Sequence, residues 1–245
     1  INSWDSHVTI KNSLFLENYE AVRHGGYAGL EIERSIFFRN HLGTYLEYCN
    51  ICKVTASLFL QNNISMSNGY TSVRHSTFAQ NAKAMASCDL RLTDVLFYGN
   101  DVAFSRATGI LQNVTFLDNR LGLQITSKLS EWHGAPLYGI NFLGSKEYHL
   151  HYTGTELFTL DLSSTYWNST SLDELEAGIY DALDGSGAGV VQMLGAESMP
   201  DAPFHHGMYQ EDPCAGQCNQ HWFNKNWSSL INAGAGTFGF FDPER

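Results

Sequence analysis

The residues able to act as ligands, nucleophiles or acids in this 245-residue chain fall into small, separated groups. Cys49 and Cys52 stand in YCNIC, a CxxC spacing that can serve redox exchange or a metal. With no second CxxC and no thioredoxin-like βαβ pattern, the residues favour a local bridge or a pair of buried thiols. Cys214 and Cys218, in the Pro- and Gly-containing turn PCAGQC, rank ahead of them as a disulfide. Cys88 makes the cysteine count odd. His149 and His151 alternate in YHLHY and share a face, and His205 and His206 lie near Asp201. Neither group has a third ligand at defined spacing, so packing or surface roles are expected and no metal is assigned. Sequons at Asn63, Asn113, Asn168 and Asn226 fit a secreted, glycosylated chain.

The elements that would position these residues are repeats. SLFLEN, SIFFRN, SLFLQN, STFAQN, VLFYGN and VTFLDN place an aromatic ring at Phe15, Phe37, Phe59, Phe78, Phe97 and Phe116. They place an amide at Asn18, Asn40, Asn62, Asn81, Asn100 and Asn119, with steps of 22, 22, 19, 19 and 19 residues. INFLGS is a weaker seventh copy: Phe142 is in register, but the motif ends in Ser145 after a longer step that carries the loop EWHGAPLYG. Each repeat reads as three short alternating segments, for example VLFYGN, VAFSRA and GILQNV, which predicts a three-sided coil of parallel strands.

Counting from the repeat Asn, the residue four positions on is large and apolar at Val22, Met66, Met85, Phe104 and Leu123, with Thr44 the exception. This column is expected inside. One position earlier, Ala21, Gly43, Ser65, Ala84, Ala103 and Gly122 are small and are expected to face out or line a tight turn. The Phe column is expected to stack face on edge. The Asn column is expected to bond from coil to coil and to supply the left-handed backbone of a sharp turn.

The F-x-x-N pattern, the small residue three positions later and the period of 19 to 22 residues resemble right-handed parallel β-helix repeats of the pectate-lyase-like superfold. A leucine-rich repeat would show one strand per repeat and a LxxLxLxxN motif, which is not the pattern here. The segment after Phe158 is similar to a YWG-type closing segment, with Tyr166 and Trp167 matching its aromatic pair, Asn168 standing in place of its Gly, and Ile179, Tyr180 and Asp181 matching its helix end. Ser171 and Glu174 read as a capping box, followed by an apolar stripe of Leu172, Leu175, Ile179 and Leu183. The expected fold is all-β: a right-handed parallel β-helix of about seven coils over residues 1–164, a cap of helix plus strand over 165–198, and an irregular tail over 199–245.

Lyases of that fold resemble one another in carrying a ladder of carboxylates for calcium beside one strand stack. No such ladder is found here. Five residues after the repeat Asn come Arg23, Tyr45, Ser67, Ala86, Ser105 and Gln124. On the next stack Glu31, Lys53, Ser72, Arg91 and Leu111 alternate in character, as do Glu33, Thr55, Arg74, Thr93 and Asn113. Asp89, Asp94, Asp101 and Asp118 scatter around turns. An enzyme would have to draw its acids from Glu131, His133, Asp201 and Glu211.

A formal net charge of −11 excludes a nucleic-acid partner, and no apolar run is long enough to span a membrane. The start at Ile1 reads as a processed protein or an excised segment. The function expected is a non-catalytic structural or recognition rod in an extracellular or cell-surface assembly. No cofactor is implied, its partners are other protein domains or subunits together with glycans, and a polysaccharide lyase or glycoside hydrolase is the alternative. Cell-surface adhesion and extracellular filament proteins with such repeats are the class this resemblance implies.

Overall fold

A computed structural model describes residues 1–49, 52–86, 89–105, 108–125, 137–155, 157–169, 171–185, 189–195 and 200. Over these residues the chain is a right-handed parallel β-helix of about six turns. One face is a nine-stranded sheet running from Asn2–Trp4 through Glu20–Gly25, Leu42–Glu47, Ile64–Ser67 and their successors to Ile179–Tyr180. The other two faces belong to one eleven-stranded sheet. In the early coils these two faces are separate short strands, as in Leu30–Glu33 and Ile36–Phe38; in Tyr70–Ala79, Asp89–Tyr98 and Thr108–Leu117 they fuse into ten-residue strands. Every pairing is parallel, because each strand meets its equivalent one turn on.

Two columns of left-handed residues turn the coil. Arg34, Ala56, His75, Asp94 and Asn113 hold φ between 47° and 54° and bend the second face into the third. Glu17, Arg39, Gln61, Gln80, Gly99 and Asp118, with φ of 51–60°, turn the third face toward the first, one residue before each repeat Asn. The expectation that the Asn itself takes the left-handed conformation is therefore corrected. Its amide has other work, and the residue before it takes the turn.

That work is a continuous ladder. The Asn81 carboxamide oxygen accepts from the Asn62 backbone N–H at 2.8 Å and from its Nδ2 at 3.1 Å. Its own Nδ2 donates to the Phe59 carbonyl and to Asn100 Oδ1. The pattern repeats from Asn18 to Asn119, so buried turn amides find partners without water. A shorter hydroxyl ladder, Ser13, Ser35, Ser57 and Ser76, runs beside it: each Oγ from Ser35 on accepts the N–H of the serine below, and all four donate to the carbonyl two residues back. Val95, Val114 and Ile140 succeed these serines in the later coils, and all three are buried.

The Phe column stacks face to face, not face on edge. Successive rings from Phe15 to Phe142 lie 4.5–5.3 Å apart with interplanar angles of 4–21°. In-register parallel strands repeat the same side-chain geometry by translation, which leaves rings parallel at about the strand spacing. Trp167 closes the column, its ring 4.4 Å from Phe142 and its Nε1 donating to Thr165 Oγ1.

Both interior columns are buried, which corrects the outward placement of the small one. Val22, Thr44, Met66, Met85, Phe104 and Leu123 are fully enclosed, and so are Ala21, Ser65, Ala84 and Ala103. A Cβ on Gly43 would come within 2.5 Å of the Ser65 carbonyl, and one on Gly122 equally close to that of His149. Small residues are needed because the backbone of the next coil lies directly over them.

The cap differs from its sequence reading in detail. The helix is only Leu172–Ala177; Ser171 occupies its N-cap position without a side-chain cap bond, and Glu174 accepts from Ser169 Oγ instead. Leu175 and Ile179 are buried, whereas Leu172 and Leu183 are exposed, so the four do not form one buried stripe. Asp181 organises the chain beyond the helix: it is buried and accepts the backbone N–H groups of Leu183 and Val191. Val191–Leu194 then pairs with Phe158–Asp161. No helix among the described residues is long and apolar enough to cross a membrane.

Candidate functional site

The residues with candidate chemistry do not converge where the sequence grouped them. His149 packs its ring against Phe142 and Trp167, with Nδ1 buried and unpartnered. Burial pushes its pKa down to about 4. His151 lies edge-on to Tyr180 on the outer face, and burial also lowers its pKa, opposed by the charge of Glu147. Asp94 receives Asn113 Nδ2 at 3.0 Å and faces His75, while Asp101 binds Arg120, which holds its carboxyl below the ordinary range. These acids sit at separate turns. On the mixed outer stack Lys53 reaches Glu31 and Lys11 reaches Glu33, pairing charge between coils. The register there is one residue off the sequence reading: Arg91 and Thr93 pair with Ile110 and Gln112, not with Leu111 and Asn113.

Among the sequons, Asn63 and Asn168 are exposed, and Asn168 has φ of 60°, the glycine-like geometry its position demands. Asn113 is half-buried and its amide is engaged by Asp94. Asn226, Cys88, Glu131, His133, Asp201, His205, His206, Glu211, Cys214 and Cys218 lie outside the described residues.

What the coil does bring together is the corner joining the first face to the second. Four successive coils each place an exposed aromatic side chain there: Trp4 (55% exposed), Tyr27 (75%), Tyr48 (68%) and Tyr70 (49%). Trp4 is seated on the coil above, because Gly25 has no Cβ and one would overlap its ring. Asp5 accepts the Tyr27 N–H at 3.0 Å, so this corner is held from coil to coil. Their spacings, 23, 21 and 22 residues, are close to the repeat period, but the strand register makes Gly25 and Glu47 the equivalents of Trp4, so the rings share the corner without standing in one column.

Beneath the rings lies a buried polar cluster. Cys49 and Cys52 form a disulfide with Cα atoms 5.9 Å apart. His24, from the preceding coil, is fully buried beside them, and one ligand atom from each of the three lies within 4.8 Å of the others. The imidazole Nδ1 meets Ser3 Oγ at 2.8 Å, and Nε2 meets the Ala28 carbonyl at 3.0 Å. A second concavity of about 250 Å³, at the cap, is lined by Asp173, Glu176, Asp181, Asp184 and apolar neighbours. There Asp181 is already committed to backbone N–H groups.

Comparison with family models, with curated proteins and with solved structures gives no match, so the functional reading rests on this geometry.

Proposed function

We propose that this chain is a non-catalytic recognition rod of an extracellular or cell-surface assembly, and that its aromatic corner binds a neutral polysaccharide chain. The observation that carries the reading is that Trp4, Tyr27, Tyr48 and Tyr70, four exposed rings, stand at one corner on successive coils of a stiff backbone. Exposed aromatic groups on a rigid frame mark binding surfaces, because each buries a large apolar area on contact at little cost in side-chain entropy. The C–H-rich faces of pyranose rings are the natural complement to such a set, and a linear chain of them would follow the rod axis. A net charge of −11 disfavours acidic polymers as the ligand.

The resemblance to pectate-lyase-like repeats closed by a YWG-type segment supports this class of protein, with Trp167 as the ring that seals the Phe column. Tyr19, exposed and stacked on His41 at the opposite end of the same face, offers a second contact, and a glycan on Asn63 would lie beside it. Quenching of tryptophan fluorescence by a panel of neutral polysaccharides tests the reading. Binding is expected to fall at least tenfold in the Tyr27→Ala, Tyr48→Ala double variant. No binding, or unchanged binding by the variant, would remove it. Release of new reducing or unsaturated ends from the panel would favour the lyase or hydrolase alternative instead.

A further inference from the structure

The polar cluster under the corner holds three ligand-type side chains, His24, Cys49 and Cys52. We propose that, once the Cys49–Cys52 bond is reduced, His24, Cys49 and Cys52 form a three-coordinate site for copper(I). The three groups come from two coils: His24 ends the strand Glu20–Gly25, while Cys49 and Cys52 flank the corner one coil above. Their ligand atoms already lie within 4.8 Å of one another. Bonds of about 2.0 Å to nitrogen and 2.3 Å to sulfur place the ligands of a closed-shell ion roughly 3.5 to 4 Å apart. Reaching that spacing requires the two sulfur atoms, bonded to each other in the disulfide, to part, and Nε2 to release the Ala28 carbonyl.

The donor set selects the ion. Two thiolates and an imidazole suit a soft cation, and a site with three protein ligands and no water suits copper(I), which accepts trigonal coordination, better than zinc, which takes four ligands. Water is excluded, since His24, Cys49 and Cys52 are all at most 2% exposed. Both nitrogens of the ring are held by hydrogen bonds in the disulfide form. Ser3 lies one coil below His24 and Cys49 one coil above, so Nδ1 faces the serine while Nε2 faces the Ala28 carbonyl at 3.0 Å, with Cys49 Sγ 3.8 Å from the same oxygen. In the disulfide form Nε2–H donates to that carbonyl and Nδ1 accepts from Ser3. In the metal form the tautomer is reversed: Nδ1–H donates to Ser3 Oγ, and Nε2 turns away from the Ala28 carbonyl to bind the ion.

The chemistry balances. A small-molecule dithiol gives two electrons and two protons to the Cys49–Cys52 bond, which breaks as the dithiol closes to its own disulfide. Copper(I) then displaces both thiol protons to water, and the neutral imidazole keeps one N–H.

The test uses the full chain carrying Cys88→Ser, Cys214→Ser and Cys218→Ser, reduced, freed of dithiol and held without oxygen. It is titrated with copper(I) against a chromophoric competitor. One equivalent is expected to leave the competitor, with X-ray absorption showing two sulfur neighbours and one nitrogen, and the oxidised chain is expected to take none. His24→Gln is expected to lose affinity at least a hundredfold, and Ser3→Ala about tenfold. Failure of the reduced chain to compete, equal uptake by the oxidised chain, or full affinity in a folded His24→Gln protein would overturn the proposal. If His24→Gln does not fold, Ser3→Ala decides: unchanged affinity overturns the site.

Discussion

At the scale of single residues, the histidines show how position decides chemistry. His149 is held neutral by burial against Phe142 and Trp167, its folded pKa lowered to about 4 from an ordinary 6.5. The unfolded chain therefore takes up the proton first, and stability is intact above about pH 6.5. It falls as the pH drops toward 4, by up to roughly 3 kcal/mol for this one group. Urea unfolding between pH 7.5 and 4.5 is expected to show that slope, and His149→Leu to flatten it; parallel curves for the two proteins would contradict it. His151, half-exposed beside Tyr180 with Glu147 opposing the effect of burial, has far less leverage.

At the scale of the repeated element, the amide ladder is what each coil hands to the next. Removing the Asn81 carboxamide leaves the buried Asn62 N–H without its acceptor and takes one bond each from Asn62 Nδ2, which keeps the Phe37 carbonyl, and from the Phe59 carbonyl. Asn81→Ala is expected to cost about 2 to 4 kcal/mol, measured by chemical unfolding, while Asn18→Ala, at the partly exposed first turn, costs less. The ladder ends at Asn119, because the next coil offers Ser145, whose buried hydroxyl has no partner and is too short to reach the turn below. Ser145→Asn is expected to extend the ladder and add about 1 kcal/mol; a lower unfolding midpoint would show that the turn at Gly144 does not accept the longer side chain. Gly43 illustrates the opposite constraint, with space on one side only: Gly43→Ala drives a methyl into the Ser65 carbonyl and is expected to cost roughly 1 to 3 kcal/mol.

The whole molecule behaves as a stack whose members touch only their neighbours, so it is additive along one axis. Residues 76–94 make one 19-residue repeat, and joining His75 to Val95 leaves the same left-handed bend followed by the same strand. The shortened chain is expected to fold, with Phe59 meeting Phe97 and Asn62 meeting Asn100. Small-angle scattering should show a rod shorter by about 4.8 Å, one strand spacing. An aggregated or disordered product would mean that the coils are not interchangeable.

The winding was legible in the sequence because a solenoid repeats its requirements: each coil asks again for a ring, an amide and a small residue, and seven copies of Phe and six of Asn average out the noise of any one position. The cap was half legible. Trp167 and Asp181 were marked by their pattern, but the depth of Leu172 and Leu183 depends on where a short helix stops, which local periodicity does not fix. The placement of the left-handed turn one residue before each Asn, the parallel stacking of the rings and the burial of Ala21 to Gly122 came only from neighbouring coils, because each is set by what lies one turn above or below. The same holds for the corner. His24 and Cys49 are 25 residues apart in the chain, and only one full turn of the coil brings the imidazole beside the sulfur atoms.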